Sequence, residues 1–128
     1  MKEWEELLEV ADRLLADDGC PWDREQTFQT LKPFILEEAH EVVEAVDLDK
    51  SDHIAEELGD LLYVILFYAK LGRKLGRFGI EDVLSCVKEK LIRRHPHVFG
   101  DVKVESMEDI KKNWERIKKE EKASKINA

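Results

Sequence analysis

The chain has 128 residues, 43% of them hydrophobic and 39% charged, with a formal net charge of −8. That length suits one domain with a core of its own, and the acidic balance argues against duplex nucleic acid as main partner, because phosphate neutralisation needs a basic surface. Two cysteines without motif spacing, an acidic N-terminus without an apolar signal core, and a longest apolar run of nine residues argue against a disulfide framework, a signal peptide and a membrane span.

Trp4, Leu7, Leu8, Val10, Ala11, Leu14 and Leu15 recur at helical spacing and predict an amphipathic helix over roughly residues 3 to 16. Gly19-Cys20-Pro21 ends it, glycine permitting a left-handed cap and proline refusing to continue. Residues 20 to 27 read as non-helical. Trp22 there is either a core plug or an aromatic wall for a ligand; large aromatics usually pack inside, so the plug is expected, with Trp22 kept as a substrate-binding candidate. Cys20 and Cys86 are expected as buried or half-buried reduced thiols of a cytoplasmic protein. A second helix should run from about Thr30 to Val46, with Pro33 tolerated in its first turn. Ile35, Leu36, Ala39, Val42, Val43 and Val46 fall in one arc and are expected inward.

A third helix, about His53 to Leu71, carries the charge-free run Leu61 to Ala69 and so needs neighbours on every face. The short connector before it predicts an antiparallel hairpin with the second helix. Three glycines, Gly72, Gly76 and Gly79, then break the helix. A fourth helix is expected over about Ile80 to Arg94, with Ile80, Val83, Leu84, Val87 and Leu91 inward. Its basic end holds Lys90, Arg93 and Arg94, either complementing the helix dipole or gripping phosphate. His95 and His97 flank a proline and read as a polar loop. Ser106 to Asp109 resembles a capping box opening a last helix from Met107 to about Glu121, with residues 123–128 a frayed tail and 1–122 the domain.

The acids of the second and third helices carry the chemistry. Glu38 and Glu41, then Glu57 and Asp60, are each three positions apart, so each pair projects to one side of its helix. Glu37 and Glu44 point further toward solvent. In a hairpin the two pairs face each other near the connector, and converging carboxylates repel unless a cation sits among them. Oxygen-only ligation favours a hard ion, Mg2+ or Mn2+. Glu57 and Asp60 stand at the entry to the apolar run, where an unpaired acid is costly. Gly59 between them suggests the close approach of another backbone or a ligand, and Asp60 gains from the helix dipole. No Ser-His-Asp set and no Gly-rich phosphate loop is found.

Four blocks in this order resemble the MazG family of nucleoside triphosphate pyrophosphohydrolases. They are Cys20-Pro21-Trp22-Asp23 with Gln26-Thr27, then Leu36 to Glu41, then Glu56 to Leu62, and finally Arg93 to Phe99. The resemblance implies an all-α fold in which the metal-bearing helices form a four-helix bundle, often completed by a second subunit. It implies Mg2+-dependent hydrolysis of a nucleoside triphosphate to the monophosphate and pyrophosphate, in a house-cleaning role. By the same resemblance Glu38, Glu41, Glu57 and Asp60 are the metal ligands, Lys90 and Arg94 contact the triphosphate, and Trp114 and Lys118 line the substrate pocket. Longer members carry two such domains in tandem, and this chain has one. A helix apolar on every face also needs covering, so a homodimer or a dimer of dimers is expected.

Other readings stay open on residues alone. Glu37 and His40 form a Glu-x-x-His, as in di-iron carboxylate bundles, although the third helix has no matching His. The acids can also be the solvated surface of a non-enzymatic interaction or regulatory module. Within the fold, selectivity for dUTP, dCTP or phosphoribosyl-ATP is a further alternative.

Overall fold

The first amphipathic stretch folds as α1, Lys2–Leu15, in a computed structural model that describes residues 1–127. Of its apolar set, Ala11 is buried and Val10 is exposed. Among the described residues every regular element is helical and no strand forms. Gly19 closes the turn after α1 by close approach and not by a left-handed conformation: a Cβ there would lie 2.3 Å from the Leu14 carbonyl oxygen. The Cys20 N–H donates to that same carbonyl at 2.8 Å.

Residues 20 to 27, expected to be non-helical, contain the short helix α2, Pro21–Arg24. Proline at its start is preset for a helical φ, and the Gln26 side-chain amide donates to the Trp22 carbonyl at 2.9 Å, tying the turn shut. Thr27 and Thr30 then exchange hydrogen bonds, each backbone N–H donating to the other's hydroxyl, at 2.8 and 3.1 Å. This turn feeds α3, Lys32–Leu48, which ends at Asp49 in the left-handed region (φ 52°). Helix α4, Ser51–Lys74, follows after Asp49 and Lys50 alone, so the expected hairpin forms with a shorter connector and a longer second arm.

In the unit Met1–Ile80, α3 packs along α4, and α1 packs on α2 and α4, where Lys70 pairs with Asp12. Leu66 is fully buried, and Leu31, Phe67 and Leu71 form a core cluster flanked by Leu15, Phe28, Phe34, Tyr63 and Tyr68. Each buried Leu or Phe side chain contributes about 1.5–3 kcal/mol. Phe28 stacks between Tyr68 and Phe78, at 5.9 Å from each, and its carbonyl accepts the Tyr68 hydroxyl at 2.9 Å. Gly72 lies against Phe78; a Cβ there would come within 2.7 Å of the ring. Gly59, by contrast, has open space around it, so nothing in the chain makes the close approach read from its position.

The inward arc expected on α3 is only partly met. Ala45 is buried and Ile35 and Val42 are half-buried, but Leu36, Val43 and Val46 are 73%, 56% and 54% exposed. On α4, Leu62 and Ile65 also reach solvent. A helix touched along one side covers one stripe, and apolar residues beyond that stripe stay exposed.

The unit Glu81–Ala128 holds nearly all of α5, Ile80–Arg94, together with α6, Pro96–Phe99, and α7, Met107–Asn127. The α5 residues Leu84, Val87 and Leu91 are about half exposed, against the inward placement read from their spacing. Cys86 is exposed rather than buried, and Cys20 is half-buried; both are free thiols. The capping box forms at Ser106, whose hydroxyl accepts the Asp109 N–H at 3.2 Å, while the Asp109 carboxylate reaches back to the Glu105 N–H at 3.1 Å. Helix α7 continues to Asn127, past the expected end near Glu121; of the tail expected to fray, Ala128 lies outside the described residues. No helix among the described residues is long and apolar enough to cross a membrane.

Candidate metal and substrate site

The α3–α4 hairpin brings three of the four expected acids together. One carboxylate oxygen each from Glu38, Glu57 and Asp60 lies within 4.8 Å of the other two. Glu57 is buried at 8% exposure, Glu38 is half-buried and Asp60 is exposed. Glu41 stands outside that set among the described residues, half-buried, with its charge felt at both Glu57 and Glu38. Glu37 and Glu44 point to solvent as expected.

Burial and mutual repulsion set the electrostatics. Burial foremost, then the charges of Asp60, Glu37, Glu57 and Glu41, raise the Glu38 carboxyl above its ordinary value. Glu57 is raised first by burial and then by Glu41 and Asp60, with His53 acting the other way from 4.0 Å. The dipole contribution read for Asp60 does not apply. Because α4 begins at Ser51, Asp60 lies well past the first turn, where that effect has faded.

Three clustered carboxylates, with proton affinity raised at Glu38 and Glu57, are short of positive charge, and an all-oxygen donor set fits a hard divalent cation. The Glu-x-x-His alternative does not assemble: the His40 imidazole pairs with Glu44 at 3.0 Å, and both side chains are mostly exposed.

A cavity of about 280 Å³ opens beside these acids. Glu38 and Asp60 form part of its lining, and Leu31, Val64 and Phe67 supply apolar surface. Trp22, Phe34 and Tyr63 are its aromatic wall. Trp22 meets Phe34 edge-on, with ring centres 5.5 Å apart, and is 52% exposed, so it is not the core plug expected from its size. Asp23 lines the same cavity. Burial first, and the Asp23 charge second, push the Tyr63 hydroxyl up to about 12, so it stays protonated at neutral pH. Asp23, Phe34 and Tyr63 were given no site role from sequence. Helical spacing points to two of them: Phe34 lies one turn before Glu38, and Tyr63 one turn after Asp60.

The remaining candidates, Lys90, Arg94, Trp114 and Lys118, all belong to the second unit and are half-buried there. The Arg94 fork closes on the Glu121 carboxylate at 2.8 Å, beside Arg93 at 2.7 Å. Hydrogen bonds from Arg94 and then Arg93 hold the Glu121 carboxyl down to about 2. Arg94 also lies 5.9 Å from the Trp114 ring centre, and His95 meets that ring edge-on at 5.4 Å.

Comparison with known proteins bears directly on this arrangement. Residues 26–99 match the MazG nucleotide pyrophosphohydrolase domain. The chain is 48% identical to the nucleoside triphosphate pyrophosphohydrolase/pyrophosphatase MazG of Thermotoga maritima, over 95% of this chain and 46% of that protein. It is 44% identical to the nucleoside triphosphate pyrophosphohydrolase of Escherichia coli K12, over 98% of this chain and 48% of the relative. The chain thus spans about half the length of these curated relatives. A crystal structure of a MazG-related protein from Thermotoga maritima superposes with a TM-score of 0.75 at 34% identity, covering 90% of this chain and 98% of that one. With the matched segment containing both the acid cluster and the hairpin that assembles it, this chain belongs to the MazG nucleotide pyrophosphohydrolase domain family.

Proposed function

We propose that this chain hydrolyses nucleoside triphosphates, or their deoxy or modified forms, to the nucleoside monophosphate and pyrophosphate, with Mg2+ as cofactor and Mn2+ able to substitute. The observation that carries the reading is the clustering of Glu38, Glu57 and Asp60, two of which, Glu38 and Asp60, line a cavity walled by aromatic rings. The family and the names of the relatives support it.

Glu38, Glu57 and Asp60, with Glu41 beside them, hold the ion; when bound, it supplies charge neutralisation at phosphate oxygens and a lowered pKa for bound water. Either Glu41 or Glu38 orients or deprotonates the nucleophilic water. Its oxygen attacks phosphorus in line, the phosphoanhydride between the monophosphate and the two terminal phosphates opens, and pyrophosphate leaves. On this reading Lys90 and Arg94 serve the triphosphate, and Trp22, Trp114 and Lys118 serve substrate binding. A homodimer or dimer of dimers completes the bundle, a reading supported by the exposed Leu36, Val43, Leu62 and Ile65 of the hairpin. A cytoplasmic setting belongs to the same reading.

The test is pyrophosphate release across natural and damaged triphosphates, dUTP, dCTP and phosphoribosyl-ATP, with and without Mg2+. Mg2+-dependent release is expected. Absence of release, together with no Mg2+-dependent thermal stabilisation by a non-hydrolysable nucleotide, overturns the enzyme reading in favour of an interaction module. Glu41→Gln retaining wild-type hydrolysis at saturating Mg2+ removes Glu41 from the mechanism.

A further inference from the structure

Hydrolysis of a polyphosphate needs cations and water, not an aromatic chamber. The cavity beside the acids nevertheless has four ring-bearing side chains, Trp22, Phe34, Tyr63 and Phe67, and one acid, Asp23, that is outside the carboxylate cluster. Its volume, about 280 Å³, is at the small end for ligand pockets and suits a single planar base better than a whole nucleotide. Trp22 is half exposed, with indole surface free to take a stacking partner. The Asp23 carboxylate makes no ion pair and accepts no hydrogen bond among the described residues, although it is half-buried. Its charge reaches Tyr63 across the same cavity.

An ionised carboxylate accepts hydrogen bonds and donates none. A base edge carrying an exocyclic amine satisfies it, whereas a carbonyl oxygen in the same place meets it lone pair to lone pair. We propose that this cavity is a base subsite in which Trp22 stacks on the base and Asp23 selects bases bearing an exocyclic amine over their oxo counterparts. The inference rests on the triphosphate reading above and deepens it. Asp23 is here a specificity residue, outside the carboxylate cluster that would hold the ion.

The experiment compares kcat/KM for two near-isosteric pairs, ATP against ITP and CTP against UTP, in wild type, Asp23→Asn and Trp22→Ala. Wild type is expected to favour the amine-bearing member of each pair by about ten-fold or more, the scale of one hydrogen bond to a charged group. Asn can donate as well as accept, so Asp23→Asn moves both ratios toward one, mainly through the oxo substrates. Trp22→Ala raises KM for all four by about ten-fold and leaves the ratios in place. Wild-type ratios near one, or ratios unmoved by Asp23→Asn in a variant of unchanged Tm, overturn this proposal while the hydrolase reading stands. Failure of all four triphosphates to be hydrolysed with Mg2+ overturns the hydrolase reading and this one with it.

Discussion

Neutralising Glu38 is expected to stabilise the metal-free protein. The Glu38 carboxylate has an oxygen within 4.8 Å of both Glu57 and Asp60. A like-charge pair at that distance costs about 1 kcal/mol in bulk water and about 3.5 at an effective dielectric of 20. Glu38 is half-buried and Asp60 exposed, which puts the real figure near the lower bound. Glu38→Gln removes both contacts, relieving about 2 kcal/mol, or about 4–8 °C of Tm for a chain of this size. Thermal unfolding in EDTA at low salt and neutral pH measures it. Excess Mg2+ should then reverse or close the gap, because the wild type gains about 2.7 kcal/mol at a hundred-fold excess over Kd and the variant less. The pH dependence has a definite sign. Glu38 binds its proton more tightly folded than unfolded, so its charge penalty is absent at low pH and appears as pH rises from the ordinary carboxylate range through the raised value. The advantage of Glu38→Gln therefore shrinks on acidification. A variant no more stable than wild type in EDTA, with no Mg2+ response in the wild type, would refute the claim that these acids crowd one another around a cation position.

Three further outcomes follow from other parts of the molecule. The Glu121 carboxyl is held down to about 2 by Arg94 and Arg93, so its contribution is present above the ordinary carboxylate range and lost as pH falls toward 2; acid titration of stability should show this limb in wild type and lose it in Glu121→Gln. Gly72→Ala pushes a methyl into the Phe78 ring, and the resulting overpacking should cost about 1–3 kcal/mol in urea unfolding, against a helix-propensity gain of at most about 1. Leu36→Glu places a charge on the exposed hairpin stripe; light scattering should give at least twice the 15.0 kDa chain mass for wild type and the chain mass for the variant, and a wild type at 15.0 kDa would refute dimerisation.

Local pattern carried much of what was legible in the sequence. The helices of the hairpin, the helix from Ile80 to Arg94 and the capping box at Ser106 were readable because periodicity and caps are written in neighbouring residues. Short-range errors arose where a turn was closed by contacts and not by type. Helix α2 is held by a Gln26 side chain, and Gly19 is required by a carbonyl oxygen beside it. Burial was the least legible quantity: spacing sends Leu36, Val43 and Leu84 inward, but whether an apolar stripe is covered depends on what packs against it.

By itself the sequence determined an all-helical chain and two acid pairs, each on one side of its helix, because helical pitch alone decides which neighbours share a face. Only the tertiary structure decided that Glu38, Glu57 and Asp60 meet, that Trp22 walls a cavity instead of plugging the core, and that Arg94 is engaged by Glu121. Those facts depend on distances between residues far apart in the chain, which are set by how the helices pack and not by the order of their letters.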